Sequence, residues 1–193
     1  MSDTGDLGGT PPVAQVREPG TPAAAAASSG PSGLAWLPLG FAVIGLDQFV
    51  KVLIVSHLTQ GEPVPVLPPV LDFTLMYNTG AAFSFLSDAS GWQRWLFIAL
   101  AIAVSAGIVL WLSRLKARSQ GLLSASLALI FGGALGNVID RVRIGHVVDF
   151  IHAHWGDHHF PAFNVADSAI TIGAALLLLD VWRESRASKK GSQ

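Results

Sequence analysis

Residues 95–112 read WLFIALAIAVSAGIVLWL, without one charged side chain. At about 1.5 Å of rise per helical residue, such a run crosses most of a hydrocarbon core about 30 Å thick. Lipid offers the backbone no hydrogen bonds, so the run must satisfy itself as a helix. Residues 122–139, LLSASLALIFGGALGNVI, repeat the pattern. The whole chain agrees. Of its 193 residues 51% are hydrophobic and only 13% charged, against about 25% charged in soluble domains, and mean hydropathy is +0.50. A net charge of −1 gives no footprint for a nucleic-acid partner. The absence of cysteine excludes disulfides, thiolate metal sites, a cysteine nucleophile and a lipidated cysteine.

The first and last apolar runs are shorter. Residues 34–46 cannot span alone, so the helix must continue through DQFVKVLIVS, which carries Asp47 and Lys51 to the membrane boundary. Residues 168–179 reach span length only by including Asp167 at one end and Asp180 at the other. Ionisable groups at such depth are costly, and are usually paired or functional. The reading is an all-α polytopic membrane protein with spans at about 34–57, 92–113, 121–141 and 163–183, in one domain of residues 33–184. Residues 1–32, rich in Pro, Gly, Ala and Ser, read as a disordered tail without the basic n-region of a signal peptide. Residues 185–193 read as a second tail.

Lys and Arg set the expected orientation. Arg114, Lys116 and Arg118 lie between spans two and three, and Arg183, Arg186, Lys189 and Lys190 follow span four. That loop and both termini are therefore expected in the cytoplasm. Residues 58–91 and 141–162 become outer loops. In the first, VLDFTLMYN alternates as a strand does, after an extended Pro-rich approach, which predicts a small extracytoplasmic sheet or hairpin.

This topology gathers polar residues on one face: Asp47 and Lys51, one helical turn apart; Asn78 and Gly80; Asn137, Asp140 and Arg141; Asp149, in the outer loop; and Asn164 and Asp167. Blander accounts exist for each. Asp47 and Lys51 can form a structural ion pair, Asp140 and Arg141 a charged helix end, and the FGGALG glycines a close helix contact. NVAD fits an N-cap followed by a favourable first-turn charge. The histidines of IHAHWGDHHF match no common zinc spacing and sit where a short polar loop is expected, so no metal or other cofactor is assigned. A proton or ion transporter would spread carboxylates through the membrane depth, whereas these cluster at one face. A non-catalytic scaffold with a groove for lipidated peptides would leave the carboxylates idle.

Taken in order, DQFVK (47–51), NTGAAFS (78–84), GGALGNVIDRV (132–142), VVDF (147–150) and FNVADS (163–168) resemble the lipoprotein signal peptidases, also called type II or prolipoprotein signal peptidases. The resemblance covers about residues 34–183. It implies a membrane aspartyl endopeptidase of the bacterial cytoplasmic membrane, which removes the signal peptide just before a diacylglyceryl-modified cysteine. It implies Asp149 and Asp167 as the catalytic pair, with Asn78, Gly80, Asn137, Arg141, Asn164, Asp47, Lys51 and Asp140 lining or supporting the site. It also implies a lipid-modified prolipoprotein substrate, membrane lipids as surroundings and sensitivity to globomycin-type inhibitors. A monomer is expected.

The residues allow that chemistry. No nucleophile-elbow or HExxH pattern occurs. Two neighbouring carboxylates cannot both ionise cheaply, so a dyad shares one proton at neutral pH. The charged member takes a proton from water and the protonated member donates to the scissile carbonyl. From sequence alone the proton belongs to the pair.

Overall fold

The computed structural model describes residues 30–80 and 91–190. The expected tail lies outside the described residues as far as residue 29, and so do residues 81–84 of the NTGAAFS stretch. Among the described residues four helices are long and apolar enough to cross a membrane: α1 (Leu37–His57), α2 (Trp92–Arg114), α3 (Gly121–Ile144) and α4 (Val165–Lys190). A single 3-10 turn, Gly33–Trp36, leads into α1.

The central helix is α3, which packs against the other three. In its most apolar stretch 61% of residues are buried, against 17–22% in the other spans. Glycines permit this. A Cβ on Gly133 would strike the Ala166 carbonyl of α4, and one on Gly136 would stand 2.9 Å from Asp47 Oδ2 of α1. Small residues bring backbones together where lipid supplies no hydrophobic drive between helices. At the far end of the bundle from the site, Ile108, Leu112, Leu115, Leu123, Leu127 and Phe131 close the α2–α3 turn. The outward surfaces stay apolar: Phe49, Trp95, Leu100, Leu110 and Leu178 are each more than half exposed.

One four-stranded antiparallel sheet caps the end where α1 and α3 finish and α2 and α4 begin. Its order is β1 (Pro63–Leu67), β2 (Leu71–Asn78), β3 (Val147–Trp155) and β4 (His158–His159). Both connecting segments build it, which enlarges the hairpin expected from the first. The Pro-rich approach becomes edge strand β1, a position that tolerates proline. The second segment is corrected from a loop to a strand. VVDFI offers β-branched and aromatic residues, and β2 supplies the ladder from Asn78 opposite Val147 to Leu71 opposite Ala153. Asp149 therefore stands on a strand, opposite Met76. Val148 and Phe150 pack under the sheet with Ile54 and Leu75.

Several span ends also differ from expectation: α4 runs on to Lys190, so residues 185–190, expected as part of a tail, are helical. α3 runs a turn further, through Val142 and Ile144, and stops at Gly145 with φ 84°. α4 starts two residues later because Phe163 is held elsewhere. Its N–H donates to the Ile151 carbonyl at 3.0 Å and its carbonyl accepts from Ile151 N at 2.8 Å. That bridge lays the start of α4 along β3.

Candidate active site

The Phe163–Ile151 bridge brings Asn164 beside Asp149. Asn164 then starts α4 as its N-cap. Its Oδ1 accepts from Asp167 N at 2.9 Å, and Asp167 Oδ2 accepts from Asn164 N at 3.3 Å. This reciprocal box satisfies two backbone N–H groups that a helix start leaves open. The cap anticipated in NVAD is present, and it accounts for only part of what these two residues do.

With its Oδ1 occupied, Asn164 presents its NH2 to the site. Nδ2 donates to Asp149 Oδ1 at 2.8 Å, and lies 3.2 Å from both Asn137 Oδ1 and the Val148 carbonyl. The other Asp149 oxygen accepts from Asn78 Nδ2 at 3.0 Å. Asn78 is pinned in the same way: Gly80 N donates to its Oδ1 at 2.8 Å. That turn needs φ 91° at Gly80, a region that disfavours any Cβ, and a Cβ there would meet Phe97 of α2. Asp167 Oδ1 accepts from Asn137 Nδ2 at 2.7 Å. Each of the four carboxylate oxygens thus receives one N–H, three from asparagine side chains and one from backbone.

The network continues into the bundle. Lys51 Nζ lies 2.8 Å from Asp47 Oδ2, 2.7 Å from Asp140 Oδ2 and 3.1 Å from Asn137 Oδ1. All three charged groups are nearly sealed from solvent, with Asp47 fully buried. Asp47 Oδ1 also accepts from Ala166 N at 2.9 Å, satisfying a third α4 N–H. Asp140 is not a solvated helix end, because its Oδ2 also accepts from Val148 N on β3 at 3.2 Å. Residues from α1, α3, β2, β3 and α4 form one connected set.

Arg141 stands at the margin. Its Nη1 donates to the Asn137 carbonyl at 3.4 Å and its guanidinium lies 5.2 Å from the Phe97 ring centre. It is within electrostatic reach of both Asp167 and Asp149. Gln48 escaped the sequence reading. Its Nε2 donates to Asp140 Oδ1 at 2.8 Å and to the Gly136 carbonyl at 3.2 Å, closing the triad from the side. The signal was an amide in a lipid-depth helix, next to Asp47.

Asp149 is 2% exposed, whereas Asp167 is half-buried. Burial pushes the Asp149 carboxyl up to about 6; the bonds from Asn78 and Asn164 and the Lys51 ammonium oppose the rise, and the Asp167 charge adds to it. Two apolar clefts open at the site, one of them lined by Asp167 itself. One, of about 400 Å³, is lined by Phe160, Phe163, Asp167, Ser168, Thr171 and Ile172. The other, of about 310 Å³, runs between α2, α3 and α4 over Phe97, Leu100, Asn137 and Arg141.

The histidines lie to one side on the sheet. His154 Nε2 meets Asp72 Oδ2 at 2.9 Å, and His159 Nδ1 meets His152 Nε2 at 3.2 Å. Among the described residues no group of three or more His, Asp or Glu is arranged to hold a metal ion.

A family model described as signal peptidase (SPase) II matches residues 39–183. The chain belongs to the signal peptidase II family. It is 52% identical over 155 residues to the lipoprotein signal peptidase of Pseudomonas putida, covering 80% of this chain and 90% of the relative. The lipoprotein signal peptidase of Acinetobacter baylyi is 55% identical over 152 residues, covering 79% and 84%. A solved structure described as a bacterial membrane enzyme matches with a TM-score of 0.69 at 32% identity, over 78% of this chain and 89% of that one. A signal peptidase II with four such helices is a multi-pass membrane hydrolase.

Proposed function

We propose that the chain removes signal peptides from diacylglyceryl-modified prolipoproteins, cutting just before the lipidated cysteine, with Asp149 and Asp167 as an aspartyl dyad. One observation carries this reading: two carboxylates from β3 and α4 share Asn164, and every one of their oxygens accepts an N–H. A carboxyl used only as a cap needs no such second partner.

Asp149 is the buried member with raised proton affinity, so it is the one that carries the proton whenever the dyad holds one. Asp167 sits at the start of α4, where the helix dipole favours negative charge, and it takes the proton from the attacking water. Asp149 donates to the carbonyl oxygen as it becomes tetrahedral. Protons then pass to the leaving nitrogen as the C–N bond breaks. Arg141 and the asparagine amides supply positive potential at low dielectric, where it acts most strongly. The two clefts at the site suit apolar substrate parts held at membrane depth.

The accompanying assignments are that the chain works as a monomer in the bacterial cytoplasmic membrane among its lipids, with both termini cytoplasmic and the dyad at the extracytoplasmic face. Globomycin-type inhibitors block it. The test mixes purified protein in detergent with diacylglyceryl-modified prolipoprotein and follows cleavage by gel shift. Cleavage is expected to survive chelator and globomycin to stop it. Near-normal turnover by Asp149→Asn or Asp167→Asn would sink the dyad.

A further inference from the structure

Three asparagines aim at the carboxylates, and each has its carbonyl end held by a donor outside the dyad's own oxygens. For Asn78 that donor is Gly80 N, and for Asn164 it is Asp167 N. Asn137 differs, because it lies mid-helix in α3 and has no local backbone donor for its side chain. Its Oδ1 is held by the Lys51 ammonium at 3.1 Å, with Asn164 Nδ2 at 3.2 Å. An amide is nearly symmetric in shape, so only its partners decide which end faces which way. Turning Asn137 over would press its NH2 against an ammonium and its oxygen against a carboxylate.

We propose that Lys51 is a positioning residue for the hydrolysis: by holding Asn137 Oδ1 it commits Asn137 Nδ2 to Asp167, and so keeps Asp167 as the charged, water-activating member of the dyad. The proposal rests on the dyad reading. It gives the buried triad a task that an ion pair for stability would not need. Asp47 and Asp140 hold the ammonium from α1 and α3, and Gln48 fills Asp140's other oxygen. Lys51 reaches neither catalytic carboxylate with a bond, so its effect passes through Asn137.

The groups facing Lys51 and Asn137 set the sign of the pH effect. They are Asp47 from α1, Asp140 and Arg141 from α3, Asp149 from β3 and Asp167 from α4. Removing the ammonium takes one positive charge from two carboxylates and releases the amide that bonds the charged form. Both changes make protons harder to remove, so both limbs of the pH–rate profile move to higher pH.

The experiment measures kcat and KM against pH for Lys51→Met, Asn137→Leu and the double variant, in detergent with lipid-modified prolipoprotein. Lys51→Met is expected to lower kcat by about tenfold to a hundredfold with KM kept. Its profile moves to higher pH, and the double variant is no slower than Asn137→Leu alone. A lowered melting temperature with the profile unmoved, or losses that multiply in the double variant, overturns the proposal. Should Lys51→Met not fold, Asn137→Asp decides. That change keeps an oxygen for Lys51 and removes the donor to Asp167, so wild-type kcat there overturns the proposal and a large loss supports it. Asp167→Asn is run in parallel. Turnover in that variant defeats the dyad itself, whereas an inactive Asp167→Asn with an unmoved Lys51→Met profile defeats only the role of Lys51.

Discussion

Asn164 donates to Asp149 Oδ1 at 2.8 Å through the same side chain whose Oδ1 caps Asp167 N. One residue thereby couples the start of α4 to the strand that carries the other carboxylate.

Replacing Asn164 removes both functions at once. Asn164→Ala is expected to cost about 1–2 kcal/mol through the lost cap. It also leaves one Asp149 oxygen without its donor, and activity falls by about a hundredfold or more as the carboxylates lose their common reference. Thermal unfolding in detergent and the cleavage assay measure the two effects separately. A variant that loses stability and keeps full activity shows that Asn164 is a cap alone.

Asp149 makes stability depend on pH. Its carboxyl is raised to about 6 when folded, from 3.8. The folded chain therefore binds this proton more tightly than the unfolded one. Above pH about 6 the fold buries a charge at a cost of order 3 kcal/mol. As pH falls from about 7 toward 4 the cost disappears, so this group's contribution becomes more favourable in acid. Asp149→Asn lacks that dependence. Denaturation of both proteins at about pH 7 and pH 4.5 is expected to show the variant's relative stability falling as pH drops. A difference that stays constant removes the buried-charge account.

Gly136 keeps α3 close to α1 at the level of the triad. Gly136→Ala places a methyl 2.9 Å from Asp47 Oδ2, an oxygen already held by Lys51. Overpacking of this kind costs about 1–3 kcal/mol. A lower melting temperature and reduced turnover are expected together, because Asp47 also bonds Ala166 N in the first turn of α4.

Gly80 tests the other end of the site. Gly80→Ala must hold a side chain at φ 91° and push against Phe97. The strain costs about 1–2 kcal/mol locally, and it is released by turning the loop so that Asn78 lets go of Asp149. Activity is expected to fall with little change in the melting temperature, since β2 ends at Asn78. Full activity in Gly80→Ala would show that Asn78 holds Asp149 without this turn.

The sequence by itself determined that the chain is a four-span membrane protein. Long uncharged runs have one stable form in lipid, and the short runs could span only by drawing Asp47, Lys51 and Asp167 to the boundary. It also marked Asn164 and Asp167 as a helix start, because caps are local. It could not place Asp149 on a strand, since that depends on β2, which joins β3 across residues 79–146. It left open whether Asp140 is merely a charged helix end, since its ion partner lies in another helix. Which end of each asparagine faces the carboxylates was decided by the tertiary structure, because the donors that orient Asn137 are Lys51 and Asn164, far from it in sequence. Gln48 stayed unnoticed for the same reason: its partners, Asp140 and Gly136, reach it only when α3 packs against α1. Local periodicity and capping are read within a few residues, whereas a buried polar network exists only where separate elements meet.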